Sequence, residues 1–100
     1  KFKEFNENDE KIQIPHVGWS SCNLIKTSKL FDKIENNSDF YFTHSFCLSE
    51  ENEEIRISIS KYGNQIFASS VNYQNLYGVQ FHPEKSQFNG LQVLKNFSEL

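Results

Sequence analysis

Between Asp39 and Lys61 the chain alternates twice between apolar and polar residues, and a period of two builds strands, not helices. In Asp39 to Cys47, Phe40, Phe42, His44 and Phe46 share one face, and Tyr41, Thr43 and Ser45 share the other. Glu54 to Lys61 repeats the pattern through Ile55, Ile57 and Ile59. Gly63-Asn64 signals a turn, and Ile66 to Val71 follows as a short strand, so the pair predicts a hairpin. Leu76 to Phe81 reads as a further strand that ends at His82-Pro83. Lys11 to Val17, with Ile12 and Ile14 at period two, reads as a short strand that Pro15 bends into a turn. Helical spacing occurs in two places. Leu30, Phe31 and Ile34 predict a short helix within Ser28 to Ile34. Leu91, Leu94, Phe97 and Leu100, with Val93 beside them, predict an amphipathic closing helix. The sum is an α/β pattern with too few helices to cover a sheet, and bare sheet faces imply that more of the fold lies outside these residues.

Composition narrows the class further. The 100 residues suffice for one small domain or part of a larger one. Aromatic residues make up 15%, with ten Phe, which argues for a packed core and against disorder. The net charge of −3 comes without any basic stripe, so nucleic acid is not an expected partner. The acidic run Glu50, Glu51, Asn52, Glu53, Glu54 reads as a solvated turn. No apolar segment has the length of a membrane span. The chain opens Lys1-Phe2-Lys3-Glu4, with neither a signal-peptide pattern nor Met, which suggests an internal or processed start. Cys22 and Cys47 lack paired spacing, so a reducing compartment, the cytoplasm, is expected.

The segment with the most chemistry is Gly78-Val79-Gln80-Phe81-His82-Pro83-Glu84-Lys85-Ser86. On an extended chain, residues two apart point to the same side. Glu84 is therefore placed to accept a hydrogen bond from one nitrogen of His82. That bond would hold the tautomer and leave the other nitrogen for a nucleophile. Pro83 restricts the backbone between them. His16, His44 and His82 have no ligand-like spacing, and neither a metal nor a cofactor is expected.

Gln80 to Ser86 resembles the His/Glu signature of the triad, or class I, glutamine amidotransferases. Three further segments resemble one branch of that family, the glutaminase subunits of imidazole glycerol phosphate synthase. They are Ile14-Pro15-His16-Val17-Gly18-Trp19, Tyr41-Phe42-Thr43-His44-Ser45-Phe46, and Gly90-Leu91 through Asn96-Phe97. The resemblance runs from about Ile12 to the end of the chain. It implies an open mixed sheet flanked by helices, with residues 1–100 as the C-terminal part of a single domain whose N-terminal half is absent here. It also implies glutamine hydrolysis to glutamate and ammonia by a Cys-His-Glu triad, with His82 as general base and acid and Glu84 orienting it. Ser45 and Phe46 would meet glutamine. Trp19, Tyr41 and Lys85 would face the partner, a (β/α)8-barrel cyclase that uses the ammonia to make imidazole glycerol phosphate in histidine biosynthesis.

The family's nucleophile sits in a Gly-x-Cys-x-Gly elbow, where the glycines keep a strained turn unobstructed. Neither Cys22, in Ser20-Ser21-Cys22-Asn23, nor Cys47, in Ser45-Phe46-Cys47-Leu48, has such flanks. Both are expected to be buried, inert thiols, and the 100 residues alone are expected to be inactive and poorly stable. Ser20 stands where the branch usually has Asn, and Phe46 where it usually has Tyr. Such differences also suit a paralogue feeding ammonia to another synthase, for example in surface-sugar biosynthesis. A non-catalytic interaction domain of the same fold is the alternative from another class.

Overall fold

The computed structural model describes residues 2–5, 13–51 and 53–100. The polar stretch Asn6 to Glu10 and the beginning of the expected Lys11 to Val17 strand lie outside them. Among the described residues, seven strands precede one α-helix: β1 (Phe2–Glu4), β2 (His16–Leu24), β3 (Ser38–His44), β4 (Phe46–Ser49), β5 (Arg56–Tyr62), β6 (Gln65–Tyr73), β7 (Leu76–Val79) and α1 (Gln87–Ser98). The sheet runs β1-β4-β6-β5-β2-β3, and β7 also pairs with β6. Every ladder among the described residues is antiparallel. The chain thus folds as the expected α/β class, a sheet with a closing helix.

Two strands bridge ladders. The first seven residues of β2 pair with β3, from His16↔His44 to Cys22↔Ser38, and its last two, Asn23 and Leu24, pair with β5. One edge of β6 meets β4 at Phe67 and Ala68, then β7 from Ser70 to Tyr73. Gly63-Asn64 turns the β5–β6 hairpin as its sequence predicts. Near the acidic run, the described residues Glu51, Glu53 and Glu54 lie in turns and are exposed.

Several expected elements have different bounds. Of the strand expected over Lys11 to Val17, the described residues Gln13, Ile14 and Pro15 are not in a strand, and β2 begins at His16 and runs on to Leu24. The expected Ser28 to Ile34 helix is a single 3₁₀ turn, Lys29–Phe31, capped by Ser28. The strand expected through Phe81 stops at Val79. The long Asp39 to Cys47 strand breaks at Ser45 into β3 and β4. Phe40, Phe42 and His44 are buried as the alternation predicts, but Phe46 is exposed and Cys47 is buried. The break shifts the alternation by one residue, and a one-residue shift exchanges the faces of a strand.

The core is mostly phenylalanine. Phe40 stacks on Phe81 at 4.2 Å between centroids, and Phe31 meets both edge-on. Phe42 touches Phe81 and Phe67 edge-on, which carries the cluster across the sheet. Each fully buried Phe contributes about 2–3 kcal/mol of hydrophobic stabilisation. α1 closes one end of this core through Val93, while Asn96 donates from Nδ2 to the carbonyls of Leu30 (2.9 Å) and Asp32 (2.8 Å). The apolar row Leu91, Leu94, Phe97 and Leu100 is exposed, and the helix packs instead through Gly90, Val93 and Asn96. No helix among the described residues is long and apolar enough to cross a membrane.

Gly90 decides how closely α1 approaches the preceding turn. A Cβ there would lie 1.8 Å from the Pro83 carbonyl oxygen and 2.7 Å from its carbon. Backbone atoms cannot step aside as a flexible side chain can. Gly90→Ala is therefore expected to cost about 2 kcal/mol or more despite alanine's better helix propensity. Thermal unfolding should show a Tm lowered by about 5 °C or more. An unchanged Tm would mean that the helix can retreat freely.

Candidate active site

His82 and Glu84 come together as their spacing suggests, although by another backbone route. Residues Pro83–Lys85 form a 3₁₀ turn with Pro83 at its start, not an extended segment. The turn brings His82 Nδ1 within 3.1 Å of Glu84 Oε2. His82 is about 38% exposed and Glu84 about 59%, so the pair sits at the surface. Hydrogen bonds from Glu84's own backbone N–H and from His82 hold the Glu84 carboxyl below the usual range. It therefore remains an acceptor at neutral pH. With Nδ1 donating to Glu84, the unprotonated Nε2 can receive a proton.

The turn is clamped to the middle of β3. His82 N–H donates to the Tyr41 carbonyl at 2.9 Å. Tyr41 N–H donates to Ser86 Oγ at 2.9 Å, and that hydroxyl in turn donates to the His82 carbonyl at 2.6 Å. Ser86 is 1% exposed, and its hydroxyl is satisfied by these two bonds while serving no helix cap. Sequence reasoning missed Ser86. A serine ahead of a helix reads as an N-cap, and only the fold shows that it reaches across to another strand.

Trp19, Tyr41 and Lys85 form one surface group. Trp19 lies directly opposite Tyr41 in the β2–β3 ladder, with its ring edge-on at 5.8 Å. Lys85 Nζ stands 5.9 Å from the Tyr41 ring centroid. Trp19 and Val17 are about half exposed, and Thr43 on the same outer face of the ladder is exposed too. Ser45 lies in the break between β3 and β4, and Phe46 opens β4 with its ring exposed.

On the opposite, inner face, His16 and His44 meet. Their 28-residue separation concealed this contact in the sequence, and cross-strand register creates it. His16 Nδ1 lies 2.8 Å from His44 Nε2, His16 Nε2 lies 3.0 Å from Ser20 Oγ, and His44 Nδ1 lies 2.9 Å from the Phe46 carbonyl. Burial, and then the neighbouring His44, lower the His16 pKa from 6.5 to about 4. Burial also lowers His44, with a further push from the charge of His82 and opposition from its bond to Phe46. Cys22 and Cys47 are both free and buried. Burial raises both thiols, Cys47 to about 11, so neither presents a ready thiolate.

The family model for "Glutamine amidotransferase class-I" matches residues 2–99, and the chain belongs to that family. Within it, the chain is similar to proteins called "Imidazole glycerol phosphate synthase subunit HisH". It is 41% identical to the Leptospira borgpetersenii protein over 96 residues, covering 96% of this chain and 47% of that one. It is 46% identical to the Blochmanniella floridana protein over 89 residues, covering 89% and 44%. Against the Pyrococcus furiosus protein the identity is 43% over 91 residues, covering 91% and 47%. The chain thus spans just under half the length of these relatives.

The depressed His16 pKa has a consequence for stability. Above pH 6.5, His16 is neutral in both the folded and unfolded chains. As the pH falls from 6.5 to about 4 the unfolded chain takes up the proton first, so stability declines across that window. The loss is on the order of 2–3 kcal/mol at most. Urea unfolding at intervals across the window should show this decline, and His16→Asn should make it shallower, leaving the part due to the lowered His44, while lowering stability at neutral pH.

Proposed function

We propose that residues 1–100 are the C-terminal part of a single glutamine amidotransferase domain. In its intact form this domain hydrolyses glutamine to glutamate and ammonia. The observation that carries this reading is the His82–Glu84 pair, held at 3.1 Å at the surface of a chain that belongs to the class-I family. The nucleophile would be a cysteine in a Gly-x-Cys-x-Gly elbow, a motif that does not occur in these 100 residues. His82 Nε2 takes the thiol proton as the sulfur attacks the carboxamide carbon. Backbone N–H groups near the elbow stabilise the resulting oxyanion. His82 returns the proton to the leaving nitrogen, and ammonia departs. Water, deprotonated by His82, then cleaves the glutamyl thioester. Glu84 orients the imidazole and stabilises its protonated form throughout. The Ser45 and Phe46 backbone would meet the substrate.

The similarity to the synthase subunits supports a cytoplasmic heterodimer in which the ammonia passes to a (β/α)8-barrel cyclase and is built into imidazole glycerol phosphate. Trp19 and Tyr41 offer that partner two aromatic rings of the types that anchor interfaces, with the Lys85 cation beside them on the same face.

Full-length protein treated with a glutamine-analogue diazoketone, then digested and mapped by mass spectrometry, tests the reading. A label on a Gly-x-Cys-x-Gly peptide supports it. A label on Cys22 or Cys47 would overturn the site, and no label even with the synthase partner and its ligand present would favour a non-catalytic domain. His82→Asn is expected to lower kcat by about 10²–10⁴-fold, and the 100 residues alone should release no ammonia. Trp19→Ala should weaken association with the cyclase by about tenfold or more in calorimetric titration. Wild-type affinity would place the docking face elsewhere, and co-purification of another synthase would identify the paralogue.

A further inference from the structure

We infer that Ser20, His16 and His44 form a hydrogen-bonded chain of fixed polarity that ends on the Phe46 carbonyl, and that the two histidines are thereby positioning residues for glutamine at the Ser45–Phe46 backbone. The positioning role rests on the amidotransferase reading above, but the chain itself does not. Its polarity follows from the last acceptor. A carbonyl can only accept, so His44 Nδ1 carries the proton across the 2.9 Å to Phe46 O. The neutral ring then has a bare Nε2, which accepts from His16 Nδ1 at 2.8 Å. His16 Nε2 is left bare in turn and accepts the Ser20 hydroxyl proton at 3.0 Å. With neutral rings no other proton arrangement makes all three bonds.

The surroundings hold both rings in place. His16 lies between Tyr62, stacked at 3.8 Å, and Phe42, stacked at 5.2 Å. Phe5 and Phe67 close around His44 at 5.1 and 5.0 Å. A regular strand would set residues 16 and 20 about 13 Å apart along its length. Gly18 between them adopts φ +139°, outside the extended range and rarely open to other residues, and His16 reaches Ser20. Apolar side chains could fill this pocket without the cost of burying imidazoles. What the histidines add is a bond to the one carbonyl just beyond the break at Ser45. Closing from residue 44 to residue 46, that bond braces the peptides on which substrate would lie.

The test uses the full-length enzyme with its synthase partner. His44→Phe keeps a ring against Phe5 and Phe67 but removes both bonds. His44→Asn restores a donor at the Nδ1 position. His44→Phe is expected to raise the glutamine KM about tenfold, the weight of one hydrogen bond, with kcat within about twofold. His44→Asn should recover most of that loss. A wild-type KM in His44→Phe, or equal falls in kcat for both variants at constant KM, would overturn the positioning role. Nitrogen-15 imidazole spectra of the unmutated protein provide a readout that does not depend on how the variants fold. Protonated Nδ1 and bare Nε2 on both rings are expected, and the opposite tautomer on His44 would overturn the chain. A wild-type protein without glutaminase activity would sink the functional reading and the positioning role together, while the spectra still decide the hydrogen bonds.

Discussion

The backbone of Tyr41 is the point on which the site depends. Its carbonyl accepts from His82 and its N–H donates to Ser86, so both ends of the histidine turn are tied to one residue of β3. Ser86 completes the clamp by donating to the His82 carbonyl. Each of these hydrogen bonds is individually modest, but Ser86 is buried, and breaking its bonds would leave its hydroxyl without a partner, which costs more than the bond contributes. The clamp therefore sets where the imidazole stands, and Gly90 lets α1 close over Pro83 without forcing the turn away. The Tyr41 side chain meanwhile points to the outer face, where it meets Trp19 and Lys85. One residue thus joins the proposed chemistry to the proposed docking face.

β3 organises the inner face as well. Phe40 and Phe42 fill the core beneath the turn, and His44, two residues further, leaves that apolar row for a polar network. The break at Ser45 follows immediately. In a continuous strand Phe46 would have been buried. Instead its ring faces outward while its carbonyl is held from within by His44. The same strand thus carries a turn clamp at Tyr41 and a brace at His44, one on each side of Phe42.

The histidines show how chemistry is sorted by surroundings. His82 stands at the surface with a carboxylate and is equipped to exchange protons. His16 and His44 are enclosed by rings, and burial holds them neutral through the physiological range. Cys22 and Cys47 are likewise kept from forming thiolates by burial. Of these five side chains only His82 has both the exposure and the partner that acid–base work requires.

Local pattern alone was enough to find the strands containing Phe40 to His44 and Ile57 to Ile59, the Gly63-Asn64 turn and the closing helix, and it put Glu84 beside His82, although through an extended backbone where the structure has a 3₁₀ turn. Each depends on residues near one another in the chain, where period, turn propensity and a short tether are decisive. Phe46 marks the limit of that reasoning, because alternation assumes an unbroken strand and cannot see a one-residue break. The extent of β2, the clamp through Ser86, the approach at Gly90 and the His16–His44 chain were all settled by tertiary structure. The physical reason is common to them. Ser86 and Tyr41 are 45 residues apart, and His16 and His44 are 28 apart. Such contacts exist only once strand register has been chosen, and register is fixed by the packing of the whole sheet, not by any segment of the sequence.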